Sequence, residues 1–172
     1  MLRRHNTVHP DLLSAQKLAY EPSGFNYKNF RQEAEGHEYG ACEFEMNGWI
    51  IKFRTAKITS TKIGQFVTFW KRTGCGPIAP YDMSDQFDFL VISVRAPEHF
   101  GQFVFPKRVL FEKGFLSSNG KGGKRAMRVY PPWDTTDSKQ AQKTQDWQLQ
   151  YFFEIGSNKP IDIIKVQKLL GL

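Results

Sequence analysis

Apolar and polar residues alternate most cleanly around Asn47-Gly48, a pair that favours the type I′ turn of a two-residue hairpin. Counting outward pairs Met46 with Trp49, Phe44 with Ile51 and Cys42 with Phe53 on one face. Glu43 then faces Lys52 on the other, where opposite charges attract across the strands. Gly64–Trp70 has the β-rich composition of another strand. Phe87–Val94 is short, β-branched and nearly continuous, the mark of a strand covered on both faces. Gly101–Phe105 adds a further strand. Trp147, Leu149, Tyr151, Phe153 and Ile155 alternate with mostly polar residues, which predicts a late one.

Helical spacing is confined to the ends and to two short middle segments. Pro10-Asp11 with Leu12, Leu13, Ala15, Leu18 and Ala19 predicts a first helix that stops before Glu21-Pro22, because the residue preceding a proline avoids helical geometry. A polar stretch separates it from the hairpin. Pro106 suits the first position of a short helix ending at Gly114, and Ser117–Gly123 reads as a small-residue loop. Asp137 or Ser138 can cap a helix reaching about Asp146, and Pro160 opens a last one striped by Ile163, Val166, Leu169 and Leu170. The sum is one domain over residues 1–172, α+β or α/β, with a central mixed sheet and helices at both ends.

The tetrapeptide Gly-Gln-Phe-Val occurs twice, at Gly64–Val67 and Gly101–Val104, each copy followed by basic residues: Lys71-Arg72 and Lys107-Arg108. It reads as two strands sharing a packing solution and delivering basic ends toward one cleft. With net charge +7 over 172 residues, an anionic partner is favoured. The apolar runs are too short to span a bilayer, and Met1-Leu2-Arg3-Arg4 leads into polar sequence, so a cytoplasmic protein without membrane insertion is expected. Cys42 and Cys75 read as buried reduced thiols, and His5, His9, His37 and His99 are too scattered for a zinc site.

Glycines near Lys121 do not form a phosphate-cradling Walker loop, since Gly114 lies one residue too far from Gly120-Lys121 and Gly122 follows the lysine. No Gly-x-Ser-x-Gly elbow supports serine hydrolase chemistry. Lys107 and Arg108 fall in the first turn of a helix, where the dipole favours negative charge, a misfit that an anion would relieve. Lys121, Lys124, Arg125 and Arg128, with Tyr130 and Trp133 beyond, suit phosphate contacts with some stacking. Trp70 and Trp147 read as core. Asp82, Asp85 and Asp88 form the tightest acidic cluster, either turn-forming residues or a metal site held against a phosphate backbone. Of the three, Asp88 enters a strand and most needs a partner.

Several runs together resemble the MepB-like protein family: Phe53–Thr59 with Lys62–Val67, Phe69–Arg72 with Gly76–Ile78, Asp85–Asp88, Gly101–Lys107, Gly123–Arg125 with Arg128–Pro131, and Ser138–Ala141 with Thr144-Gln145. The resemblance covers roughly residues 40–155. It implies a restriction-endonuclease-like fold, a mixed central sheet flanked by helices. In nucleases of that group an Asp begins a strand and an acid-x-Lys or Gln-x-Lys lies on its neighbour, holding Mg²⁺ and activating water. Carried over, Asp88 takes the first place as metal ligand and Gln102 the second. Val104 stands where the lysine is expected, so Lys107 is the displaced candidate, with Glu43, Lys57 or Arg54 as substitutes from the earlier hairpin. The resulting reading is a nucleic-acid-binding protein, DNA rather than RNA. Its phosphate contacts fall to Arg54, Lys57, Lys62, Lys71, Arg72, Lys107, Lys124, Arg125 and Arg128. The alternatives are a Mg²⁺-dependent nuclease using Asp88, Gln102 and Lys107, and a protein that binds a small anionic or regulatory ligand.

Overall fold

The computed structural model describes residues 7–156 and 158–171, so His5 and the Met1–Arg4 segment lie outside the described residues. The chain starts with helix α1 (Pro10–Ala15), then strands β1 (Tyr27–Gln32), β2 (Cys42–Met46) and β3 (Trp49–Thr55). A long excursion follows with β4 (Lys57–Ile58), β5 (Gln65–Thr68), β6 (Lys71–Arg72) and β7 (Ile78–Ala79). Next come β8 (Phe89–Ala96), β9 (His99–Pro106), α2 (Lys107–Glu112), β10 (Ser117–Ser118), β11 (Lys121–Gly122) and β12 (Ala126–Val129). Helix α3 (Lys139–Gln148), β13 (Phe152–Glu154) and α4 (Ile163–Leu169) complete the chain.

Six strands form a mixed sheet in the order β1-β2-β3-β8-β9-β13, in which only β3 and β8 run parallel. The hairpin takes the register expected from sequence, Cys42 opposite Phe53 and Glu43 opposite Lys52. Asn47 and Gly48 both have positive φ, as a type I′ turn requires. A smaller sheet, β12-β5-β4, lies against the other half of the molecule. The fold is mixed α+β, a central mixed sheet with a few helices.

Two apolar cores sandwich the large sheet. On one face, Phe44, Phe53, Val91, Val104 and Phe153 pack with Leu12, Tyr20, Val166 and Leu170 from the terminal helical segments. On the other, Leu90, Ile92, Phe103 and Phe105 pack with Val67, Phe69, Met127 and Val129 from the smaller sheet. Strand β8 is therefore buried on both sides, which is why its sequence is continuously apolar instead of alternating.

Several elements depart from the sequence expectations, among them α4, which starts at Ile163 with Asp162 as its N-cap and not at Pro160, and the Ser117–Gly123 loop, which contains the short pair β10 and β11. The polar stretch before the hairpin contains β1, an edge strand with a bulge between Lys28 and Arg31 where Asn29 takes φ 54°. With one side unpaired, it needs no apolar alternation. The first helix does not stop before Glu21-Pro22 but runs on as a π-helical turn (Gln16–Tyr20) and a 3₁₀ turn (Glu21–Ser23), ending at Gly24 with φ 86°. Pro106 is the N-cap of α2, not its first residue. The late strand expected over Trp147–Ile155 shrinks to β13, because α3 continues to Gln148 and a 3₁₀ turn follows. The buried face of α3 carries Gln145 and Gln148 beside Ala141, two of its three buried residues being polar. Gln148 accepts from the Tyr130 N–H at 2.9 Å and donates to the Arg128 carbonyl at 3.1 Å. Gln145 donates to the Pro131 and Asp134 carbonyls, each at 2.9 Å. A helix that docks on exposed backbone groups shows no apolar stripe.

The repeated tetrapeptide contributes to strands in both places, but in different sheets, with Gly101 inside β9 and Gly64 just before β5. Gly64 has φ 82°, whereas a Cβ on Gly101 would lie 2.3 Å from the Phe152 ring and 2.8 Å from the Phe153 carbonyl oxygen. Gly101→Ala is expected to lose about 2 kcal/mol by overpacking a ring that has no room to retreat, read from urea melts.

Candidate functional site

The core-facing pattern on the β12/β5 side of the large sheet breaks down over β1, β2 and β3. There, three strands contribute charges in register. Arg31 lies opposite Glu43, and Glu43 opposite Lys52. The Glu43 carboxylate receives Arg31 Nη2 at 2.5 Å and Lys52 Nζ at 2.9 Å. Lys52 also reaches Glu33 Oε1 at 2.5 Å, and Arg54 pairs through Nη1 with Glu33 Oε2 while donating to the Phe53 carbonyl at 2.8 Å. Tyr81 donates to Glu33 Oε1 at 3.3 Å. Burial acts to lower the Lys52 pKa, but Glu33, Tyr81 and Glu43 together hold its ammonium above the ordinary value. Burial, then Glu33, pushes the Tyr81 hydroxyl up, so it remains a donor.

Arg31, Glu33, Arg54 and Tyr81 of this cluster line a cleft of about 410 Å³. The loop carrying Glu33 and Glu35 forms one wall, and Thr68, Trp70, Lys71 and Arg72 form the other. At the rim, Arg72 meets Glu35 at 3.1 Å and Lys71 meets Asp85 at 2.6 Å. The segment bearing Lys121, Lys124 and Arg125 runs alongside. The Phe69 N–H donates to the Arg125 carbonyl at 2.9 Å, the Met83 N–H to the Ser117 carbonyl at 2.9 Å, and Gly123 abuts Pro80. Asp82 pins that segment. It accepts from the Ser84 N–H and hydroxyl, from the Ser117 hydroxyl at 2.7 Å and from the Gly120 N–H, and these bonds, the Ser84 N–H foremost, hold its carboxyl well below the usual range.

Of the phosphate-contact residues read from sequence, Arg54, Lys71 and Arg72 meet in the cleft, with Lys124 and Arg125 beside it. Lys62, Lys121, Lys124 and Arg125 are exposed and make no ion pair among the described residues. Lys57 sits over the Tyr39 ring near Glu38. Arg128 turns inward and fastens the loop before β5 through Thr59, Ile63 and Gly64. Lys107 bonds the Asp85 carbonyl and covers Phe87.

Asp88 and Lys107 are neighbours, the Lys107 N–H donating to the Asp88 carbonyl at 2.9 Å, but Gln102 lies apart from both. Asp88 Oδ2 accepts the Ile50 N–H at 2.8 Å, closing the start of the β3–β8 ladder. Gln102 is opposite Ser93, five residues along β8 from Asp88, about 17 Å at the rise of a strand. Its side chain is fully buried on the helical side of the sheet, accepting from the Tyr20 hydroxyl at 2.5 Å and donating to Ser93 Oγ at 2.8 Å. Asp82 and Asp85 have their own partners, and no three His, Cys, Asp or Glu side chains gather as ligands among the described residues. These residues do not fit a Mg²⁺ ion.

Trp147 packs in the core against Phe105, but Trp70 lines the cleft. Cys42 is buried, its thiol pushed up to about 12 by burial, whereas Cys75 is exposed at the turn joining β6 and β7, contrary to expectation. Residues Arg31, Glu33 and Glu35 were missed because they fall in the polar stretch. The one signal available was the Glu43–Lys52 cross-strand pair.

A MepB-like family model matches residues 33–154. The chain belongs to the MepB-like family. A solved structure of MepB is similar at 38% identity, with a TM-score of 0.72, over 74% of this chain and 86% of that one. No curated protein matches. The MepB-like span takes in the cleft from Glu33 to Tyr81 and the Lys121–Arg125 segment, and leaves out α1 and α4. No helix among the described residues is long and apolar enough to cross a membrane.

Proposed function

We propose that this MepB-like protein binds nucleic acid, DNA rather than RNA, across the charged cleft and the basic segment beside it. The observation that carries the reading is the placement of Lys121, Lys124 and Arg125, cations with no acidic partner among the described residues, next to the wall that holds Trp70, Lys71 and Arg72. Rim cations bonded to exposed carboxylates exchange partners at little cost, so a phosphate can replace Glu35 on Arg72. Trp70 offers an aromatic face for stacking. The kinship to restriction-endonuclease-like folds that the family resemblance implies favours DNA by analogy.

Binding to labelled DNA, followed by anisotropy, should weaken steeply as salt rises, and RNA of the same sequence should compete less well. Replacing both Lys124 and Arg125 by Ala is expected to flatten the log–log salt slope by about 2, one unit per lost phosphate contact. A flat salt response in the wild type would remove the reading.

A further inference from the structure

Arg54 stands apart from the other cations of the cleft. It is only 4% exposed, yet it lines the cleft, stacked 5.3 Å from the Phe69 ring. Its bonds run through Nη1, to Glu33 and the Phe53 carbonyl, which fixes the plane of the guanidinium. Nε and Nη2 make no hydrogen bond among the described residues. That pair forms the side-on fork of an arginine, matched to two oxygens of one phosphate or carboxylate. Thr68 brings a hydroxyl and Lys71 an ammonium to the same cleft, the ammonium resting on Asp85 at 2.6 Å and Glu33 and Glu35 completing the lining, so a phosphate there takes the place of Asp85 on Lys71. The cleft's volume of about 410 Å³ is that of a single small-ligand pocket.

We propose that the floor of the cleft is a receptor for a phosphomonoester, the terminal phosphate of a nucleic-acid strand, held by the Nε–Nη2 fork of Arg54 with Lys71 and Thr68 beside it. This rests on the nucleic-acid reading and narrows it from backbone to strand end. A terminal phosphate carries about −1.5 to −2 charge at neutral pH and three free oxygens, against one charge and two free oxygens for an internal diester. A buried fork backed by a second cation favours the former. The following strand then leaves the cleft past Trp70 toward Lys124 and Arg125.

The test compares short single-stranded DNAs of one sequence bearing a 5′-phosphate, a 3′-phosphate or only hydroxyl ends as competitors against a labelled strand. One of the phosphorylated strands should bind about tenfold more tightly than the hydroxyl strand. Arg54→Lys, which keeps a charge beside Glu33 but removes the fork, should bring that ratio close to one. If Arg54→Lys melts far below the wild type, Lys71→Gln serves instead and should lower the same ratio. Equal binding of phosphorylated and hydroxyl strands, with the Lys124/Arg125 double variant still weakening both, would overturn the end site and leave the broader reading intact. Thermal protection by a nucleoside monophosphate with no binding of any strand would uphold the phosphomonoester site and overturn the nucleic-acid reading. Binding of none overturns both.

Discussion

Replacing Gln102 by Leu is expected to cost about 3 kcal/mol of stability and to leave nucleic-acid binding unchanged. The amide is completely buried and satisfies two hydroxyls at once, Tyr20 at 2.5 Å and Ser93 at 2.8 Å. Burial pushes the Tyr20 hydroxyl well above its ordinary pKa, so it is a permanent donor in search of an acceptor. A leucine fills the space but strands both groups, and a buried polar group without a partner costs more than the bond it made. Replacing all three together, Tyr20→Phe, Ser93→Ala and Gln102→Leu, should recover most of the loss, because nothing polar is then left unmet. Urea melts measure the first effect, and anisotropy the second. Loss of binding by a folded Gln102→Leu protein would return this residue to the functional site.

The second large effect is expected at Lys52, where Lys52→Met should destabilise the fold by about 3 kcal/mol. Its side chain is 11% exposed and those of Glu33 and Glu43 are 15% and 18%, so solvent screens the three poorly. Removing the ammonium leaves two carboxylates facing each other's field. The pH dependence follows from the two shifts. Burial raises the Glu43 pKa, but the Lys52 hydrogen bond and charge, with Arg31, outweigh it and hold the carboxyl below its ordinary range. Its contribution is therefore present above the ordinary glutamate pKa, about 4.3, and is lost as pH falls through the lower folded value. Lys52 lies the other way. Its contribution is complete below the ordinary lysine pKa, about 10.4, and is lost as pH rises through the higher folded value. Urea melts across the acid and alkaline ranges should show both declines in the wild type and a weaker acid decline in Lys52→Met. An unchanged pH profile would mean that the cluster contributes no net charge coupling.

Legibility from sequence followed burial. The β2–β3 hairpin could be read to the residue because turn chemistry and alternation specify one register. Strand β8 announced itself by composition. Strand β1 and the end of α3 could not be read, since an edge strand and a glutamine-faced helix both satisfy backbone groups without apolar periodicity. For the candidate site, chain-local cues singled out the cations Arg54, Lys71, Arg72, Lys124 and Arg125, which the fold places in or beside the cleft. They could not find Glu33, which acquires its meaning only when β1 lies beside β2 and brings it to Lys52 and Arg54. Asp88 drew attention as a carboxylate entering a strand, and its partner is a backbone N–H on the neighbouring strand, which no side-chain pattern records.

The parallel join of the large sheet, β3 to β8, has a further consequence for how the molecule comes into being. A parallel pair cannot be closed by a turn, so residues 56–88 must loop away and return before the sheet can be zipped. That same detour carries Thr68, Trp70, Lys71, Arg72 and Tyr81, one whole wall of the cleft. The opposing wall and floor lie upstream of it, on β1 and β3. The cleft is thus a product of long-range closure: neither the β2–β3 hairpin nor any fragment lacking residues 56–88 contains both of its walls.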